Sequence, residues 1–82
     1  MPLHGWRRLH GTDVVAQVEP IAGLGVWEVS VWLTTNPTGI VRMPRPIELL
    51  MSAQAKADNL ARKTFDHKCA VANCGEWLPI QL

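Results

Sequence analysis

Apolar and polar residues alternate in the first half of the chain, and this alternation predicts β-strands. In the segment 26–34 the apolar residues fall on one side, while Glu28 and Ser30 fall on the other, which is typical of a half-buried strand. The segment 14–20 alternates in the same way, and a third strand over 40–45 is cut short by two prolines. Glycine-rich and polar turns separate the three segments, so we predict an antiparallel meander.

From Ser52 onward the spacing of apolar residues changes to that of an α-helix over 52–66. Ser52 is suited to the N-cap position, and Asp58 and Arg62 are expected to pair on the solvated side, one turn apart. The opposite side carries a stripe built largely of alanine. Small residues let a helix lie close to a sheet, and we expect this helix to cover the sheet face that carries Trp27. The stripe consists of Ala53, Ala57, Leu60, Ala61 and Thr64.

These elements predict one domain of the α+β class over 1–82, because a chain of this length holds a single core. The sheet occupies 14–46 and the helix packs on one of its faces. The segment 1–13 shows no clean period and is interpreted as a lead-in packed on the core. The segment 67–82 is interpreted as an extended tail, since glycine and proline interrupt it.

Charge and composition limit the classes of partner. The 82 residues carry eight Lys and Arg against seven Asp and Glu, for a formal charge of +1. Nucleic acids and membrane surfaces attract proteins with a clear basic excess, so neither is expected as a partner. No apolar run reaches the roughly eighteen residues of a membrane span. The residues after Met1 lack an apolar stretch of secretory length and the chain has two cysteines, so a cytoplasmic protein is expected.

Trp32 is predicted to lie on the sheet face that the helix leaves uncovered. It stands five positions from Trp27, an odd spacing, so the two side chains point to opposite faces of the sheet. On its own face Trp32 is expected beside Gln17, Ser30 and Arg42. These four residues are the candidate binding site.

Three arrangements would cover Trp32, and all three stay open at this point. The lead-in or the tail would fold over it, a homodimer or another protein partner would bury it, or a nucleobase would stack on the indole ring. The balanced charge makes the nucleobase the least favoured of the three.

His67, Cys69 and Cys74 form a second candidate site, in the segment that follows the predicted helix. Thiolate and imidazole are preferred ligands of zinc, so these residues would supply three of four ligands, with His4 or His10 as the fourth. Two alternatives remain open, because the spacing matches no established zinc motif: free thiols and a Cys69–Cys74 disulfide. We expect no cofactor unless these residues bind zinc.

Catalysis is left open but is not favoured, because the sequence offers no clear set of nucleophile, base and orienting group. We therefore expect a small non-catalytic binding or protein-interaction module that self-associates through the sheet face bearing Trp32. The alternatives are a structural-zinc or thiol-dependent protein using His67, Cys69 and Cys74, and a weak nucleic-acid-binding module.

Overall fold

The computed structural model describes residues 4–21, 23–65 and 75–81. They form a five-stranded antiparallel sheet, ordered β4-β3-β2-β1-β5, with one α-helix packed on it. The α+β class and the packing of the helix on the sheet are thereby confirmed. The elements are β1 (Gly5–His10), β2 (Val14–Ile21), β3 (Val26–Leu33), β4 (Asn36–Arg42), α1 (Leu50–Phe65) and β5 (Leu78–Ile80).

The core lies between α1 and the two central strands. Its side chains alternate along β2 and β3, and the helix contributes one residue per turn, as its alanine stripe predicts. Three tryptophans, Trp6, Trp27 and Trp77, pack against the edge of this core. Because the helix residues are small, the helix backbone can approach the sheet closely. The buried core residues are Val14, Ala16, Val18, Val29, Val31, Ala53, Ala57 and Ala61.

The prediction of three strands is incomplete, because the expected lead-in contains β1 and the expected tail contains β5. β1 pairs with β2, and β5 pairs with the other side of β1. The alternation of β1 is hidden because Arg8 and His10, two polar residues, share its helix-facing side with Trp6. β5 has three residues, which is too few for a periodic signal.

β4 and α1 lie a few residues away from their predicted positions. β4 ends at Arg42, and beyond it Ile47 pairs with Trp27 through two backbone hydrogen bonds of 2.7 and 2.9 Å. The strand accepts Pro37 because it is an edge strand, where a missing N–H donor is tolerated. The helix begins at Leu50, so Ser52 lies inside its first turn and is not the N-cap. Within the described ranges, no helix has the length and apolarity needed to cross a membrane.

Candidate functional site

The face of the sheet turned away from α1, here called the open face, carries two rows of side chains that run across the strands. Residues paired directly across antiparallel strands point to the same face, so the register defines each row. The apolar row consists of Leu9, Val15 and Trp32. The polar row consists of Arg7, Gln17, Ser30 and Arg42.

All four residues of the predicted binding site lie on this face. Gln17 pairs with Ser30 and Ser30 pairs with Arg42, while Trp32 stands in the neighbouring row. The parity argument therefore placed them together correctly. Whether they bind a partner stays a prediction. No described helix lies on the open face, since α1 contacts the sheet on the opposite side.

Arg7 is the residue of this site that sequence reasoning missed. Its Cζ atom lies 5.6 Å from the ring centroid of Trp32, and its Nε donates a 2.8 Å hydrogen bond to Oε1 of Gln17. A guanidinium at this distance is attracted to the electron-rich face of the indole. The strand β1 had to be recognised first, because only its register brings Arg7 to the open face.

Arg7 and Trp32 partly cover the open face by lying across it. Arg7 stands on β1 and Trp32 on β3, so their contact crosses the strand between them, β2. On β2 the side chains of Val15 and Gln17 are 5% and 6% exposed, although no described element forms a layer above them. Part of the expected cover for Trp32 therefore comes from the lead-in, through the side chain of Arg7 on β1. Trp6 and Trp77 pack against the helix-side core.

The charges of the open face are balanced. Glu19 and Glu28 stand directly opposite each other on β2 and β3, a like-charged pair that is unfavourable alone. Arg42 Nε lies 3.0 Å from Oε1 of Glu28, and Gln17 donates through Nε2 to Oε1 of Glu19. Arg7 supplies the second cation. On β1 to β4 the face thus presents two arginines and two glutamates.

A half-open groove lies at the edge of the open face, between β1 and the segment that contains β5. Its volume is about 310 Å³. Exposed leucines form much of its wall, with Leu9 46% and Leu78 61% exposed. The groove is lined by Arg7, Leu9, Gly75, Glu76, Leu78, Pro79 and Ile80.

A polar network links α1 to β1 on the opposite side of the sheet. Asp58 Oδ1 lies 2.8 Å from His10 Nε2, and its Oδ2 lies 3.1 Å from Arg8 Nη1. Arg8 Nε also donates a 2.7 Å hydrogen bond to the carbonyl oxygen of Gly75. The predicted pairing of Asp58 with Arg62 in solvent is therefore wrong. The register of β1 turns Arg8 and His10 toward the helix, where they bind Asp58 instead.

This network is suited to holding elements together and not to meeting a substrate. The side chain of His10 is 0% exposed, so its imidazole has no contact with solvent. A carboxylate only accepts hydrogen bonds, so His10 donates through Nε2. Asp58 thus joins the helix to β1, and Arg8 extends the connection to Gly75, ahead of β5.

The predicted metal ligands His67, Cys69 and Cys74 lie outside the described residues, and zinc binding stays a prediction. Of the two histidines considered as a fourth ligand, His4 is exposed, with its ring centroid 4.9 Å from that of Trp6. His10 is bound to Asp58. Within residues 4–21, 23–65 and 75–81, no group of three or more potential metal-binding side chains comes together.

Comparisons with protein-family models, with curated proteins and with solved structures find no match for this chain. Its function therefore has to be inferred from the geometry of the open face and of the groove at its edge.

Proposed function

We propose that this protein is a small non-catalytic interaction module that self-associates through its open face, with Trp32 at the centre of the contact. The observation that carries this proposal is the position of Trp32. It lies in an apolar row that crosses the sheet, on the face without a described covering layer. Tryptophan and arginine are the residues that most often anchor protein interfaces.

Exposed apolar side chains stand on both sides of Trp32 and would add to the contact. Leu9 stands in the same row on β1 and is nearly half exposed. On β4, Val41 packs against the core, so its neighbour Ile40 points to the open face by alternation, and it is 36% exposed. Removal of apolar surface from water stabilises a complex by roughly 25 cal/mol per Å² before the costs of association are subtracted.

The charge pattern favours a second copy of this chain over a strongly charged partner. On the strands β1 to β4, each open face carries two arginines and two glutamates, so these strands of two copies meet with no net charge between them. A twofold-symmetric dimer uses the same surface on both chains, and a surface with both signs can complement itself. A strongly acidic or basic partner would find as many repulsive as attractive charges.

The size of the chain also supports a partner. A domain of 82 residues buries a smaller share of its surface on folding than a larger domain does, so it gains more from association. We propose a cytoplasmic location as well, because two cysteines are fewer than small secreted scaffolds use. The nucleic-acid alternative has less support, since Arg7 already lies over the ring of Trp32. The zinc alternative stays a prediction, because His67, Cys69 and Cys74 lie outside the described residues.

Light scattering across a dilution series tests the proposal. We expect the wild type to move from monomer toward dimer mass as its concentration rises, and we expect Trp32→Ala to stay at monomer mass. The matched control is Met51→Ala, which removes an exposed apolar side chain at the start of α1, away from the open face. A wild type that keeps the monomer mass at the highest concentration would overturn self-association.

A further inference from the structure

The C-terminal segment forms one side of the groove at the edge of the open face. Leu78 pairs with Arg7 across the strands, so both side chains point to the open face. Glu76 and Ile80 stand two positions to either side of Leu78 and line the same groove. Trp77, between Glu76 and Leu78, packs instead against the helix-side core. Of the segment 75–80, all residues except Trp77 therefore line the groove.

Two opposite charges line this apolar groove without neutralising each other. Arg7 uses its Nε for Gln17 and its guanidinium face for Trp32, which holds it in place. Within the described part of the chain, Arg7 and Glu76 form no ion pair, with each other or with another side chain. Arg7 stands on β1 and Glu76 stands two residues before β5, so the two charges come from different segments of the groove lining. A small molecule between them would meet both charges.

The volume and the walls indicate the size and polarity of the ligand. About 310 Å³ lies at the lower end of the range of roughly 300–1,000 Å³ found for ligand pockets. Leu9, Leu78 and Ile80 would contact an apolar body, while the two charges would contact a cation and an anion on one molecule.

We propose that this groove binds a small zwitterion with an apolar body, of the kind represented by a free apolar amino acid. The ligand carboxylate binds Arg7, the ligand ammonium binds Glu76, and the apolar side chain lies against Leu9 and Leu78. Charge complementarity carries the assignment, since a plain fatty acid would leave its single charge to face Glu76 as well as Arg7. This site goes beyond self-association, and because it shares Arg7 and Leu9 with the proposed contact surface, its test is made on the monomer.

The test uses L-leucine and two analogues that each lack one charge. Leucinamide lacks the carboxylate, and N-acetyl-leucine lacks the ammonium group. Titration followed by backbone amide shifts in NMR gives the affinity and the location together, at a concentration where light scattering shows a single mass. Exposed ion pairs are weak, so we expect each analogue to bind the wild type about two- to fivefold more weakly than leucine.

Two variants identify which residue meets which charge. Arg7→Gln should weaken leucine binding by about two- to fivefold and abolish the preference for leucine over leucinamide. Glu76→Gln should also weaken leucine binding by about two- to fivefold, and it should abolish the preference for leucine over N-acetyl-leucine. The controls Arg62→Gln and Glu48→Gln remove exposed charges outside the groove and should leave binding unchanged. Unchanged amide shifts away from the groove show that each variant is folded.

A further titration, with the dipeptide Leu-Leu, distinguishes a free amino acid from a short peptide as the natural ligand. Tighter binding than leucine supports the end-to-end zwitterion of a short peptide, and weaker binding supports the free amino acid. Three results would overturn the proposal: no saturable binding of leucine, equal affinities for leucine and both analogues, or amide shifts centred outside the groove.

Discussion

The two faces of the sheet are buried by different means, although the same strands build both. On the covered face, small side chains pack under the alanines of α1, and the core residues of β2 and β3 are buried by a second layer. On the open face, the long side chains of Arg7 and Trp32 lie across β2 and shield Val15 and Gln17. A low exposure on the open face therefore depends on two side chains, whereas on the covered face it depends on a helix.

This difference predicts that the two faces tolerate different kinds of substitution. The covered face should tolerate loss of charge poorly where the helix is joined to β1, and it should reject larger side chains. The open face should be destabilised by shorter side chains, because there the long side chains of Arg7 and Trp32 form the cover. The following three substitutions test this contrast, from the largest expected effect to the smallest.

The largest effect is expected for Asp58→Ala. The substitution removes the carboxylate that joins α1 to β1 and leaves His10 and Arg8 without it. Breaking a buried charged contact costs about 3–5 kcal/mol, and partial exposure of Arg8 and Asp58 reduces the expected cost to about 2–3 kcal/mol. Urea unfolding at neutral pH measures the change. Asn59→Ala, at the exposed neighbouring position, is the control, and equal losses in both variants would contradict the role of Asp58.

An intermediate effect is expected for Ala57→Leu. Ala57 is fully buried against the sheet, so the added isopropyl group must push α1 away from β2 and β3. Overpacking of this kind costs about 1–3 kcal/mol of unfolding free energy. The same change at the exposed Ala55, two positions earlier, should shift stability by less than about 0.5 kcal/mol. If the two variants have the same free energy of unfolding, the helix does not lie as close to the sheet as the alanine stripe implies.

The smallest effect is expected for Arg7→Ala on the open face. The variant loses the contact with Trp32 and the hydrogen bond to Gln17, and it exposes part of Val15. An exposed cation–π contact contributes about 0.5–1 kcal/mol, so we expect a loss of about 1 kcal/mol by urea unfolding. Arg7→Lys should fall between, because lysine has no planar group to stack. Arg45→Ala, at an exposed position, serves for comparison, and an identical loss there would remove the special role of Arg7.

The sequence by itself determined the elements whose period is uninterrupted. β2, β3 and α1 follow from alternation and from the alanine stripe, because burial of one face against another layer requires that period. The same parity placed Trp27 and Trp32 on opposite faces and put Gln17 and Ser30 beside Trp32, since a strand reverses its side chains at every residue.

Tertiary structure alone decided the remaining contacts, because each joins residues that are distant along the chain. β1 carries Arg8 and His10 on the side where apolar residues would have revealed it, and these residues are favourable there only because Asp58 of α1 meets them. Arg7 reaches Trp32 only after β1 has paired with β2, and the groove exists only after β5 has paired with β1. Local periodicity reports which face of an element is buried. The partner that covers that face is set by long-range pairing, which no local pattern encodes.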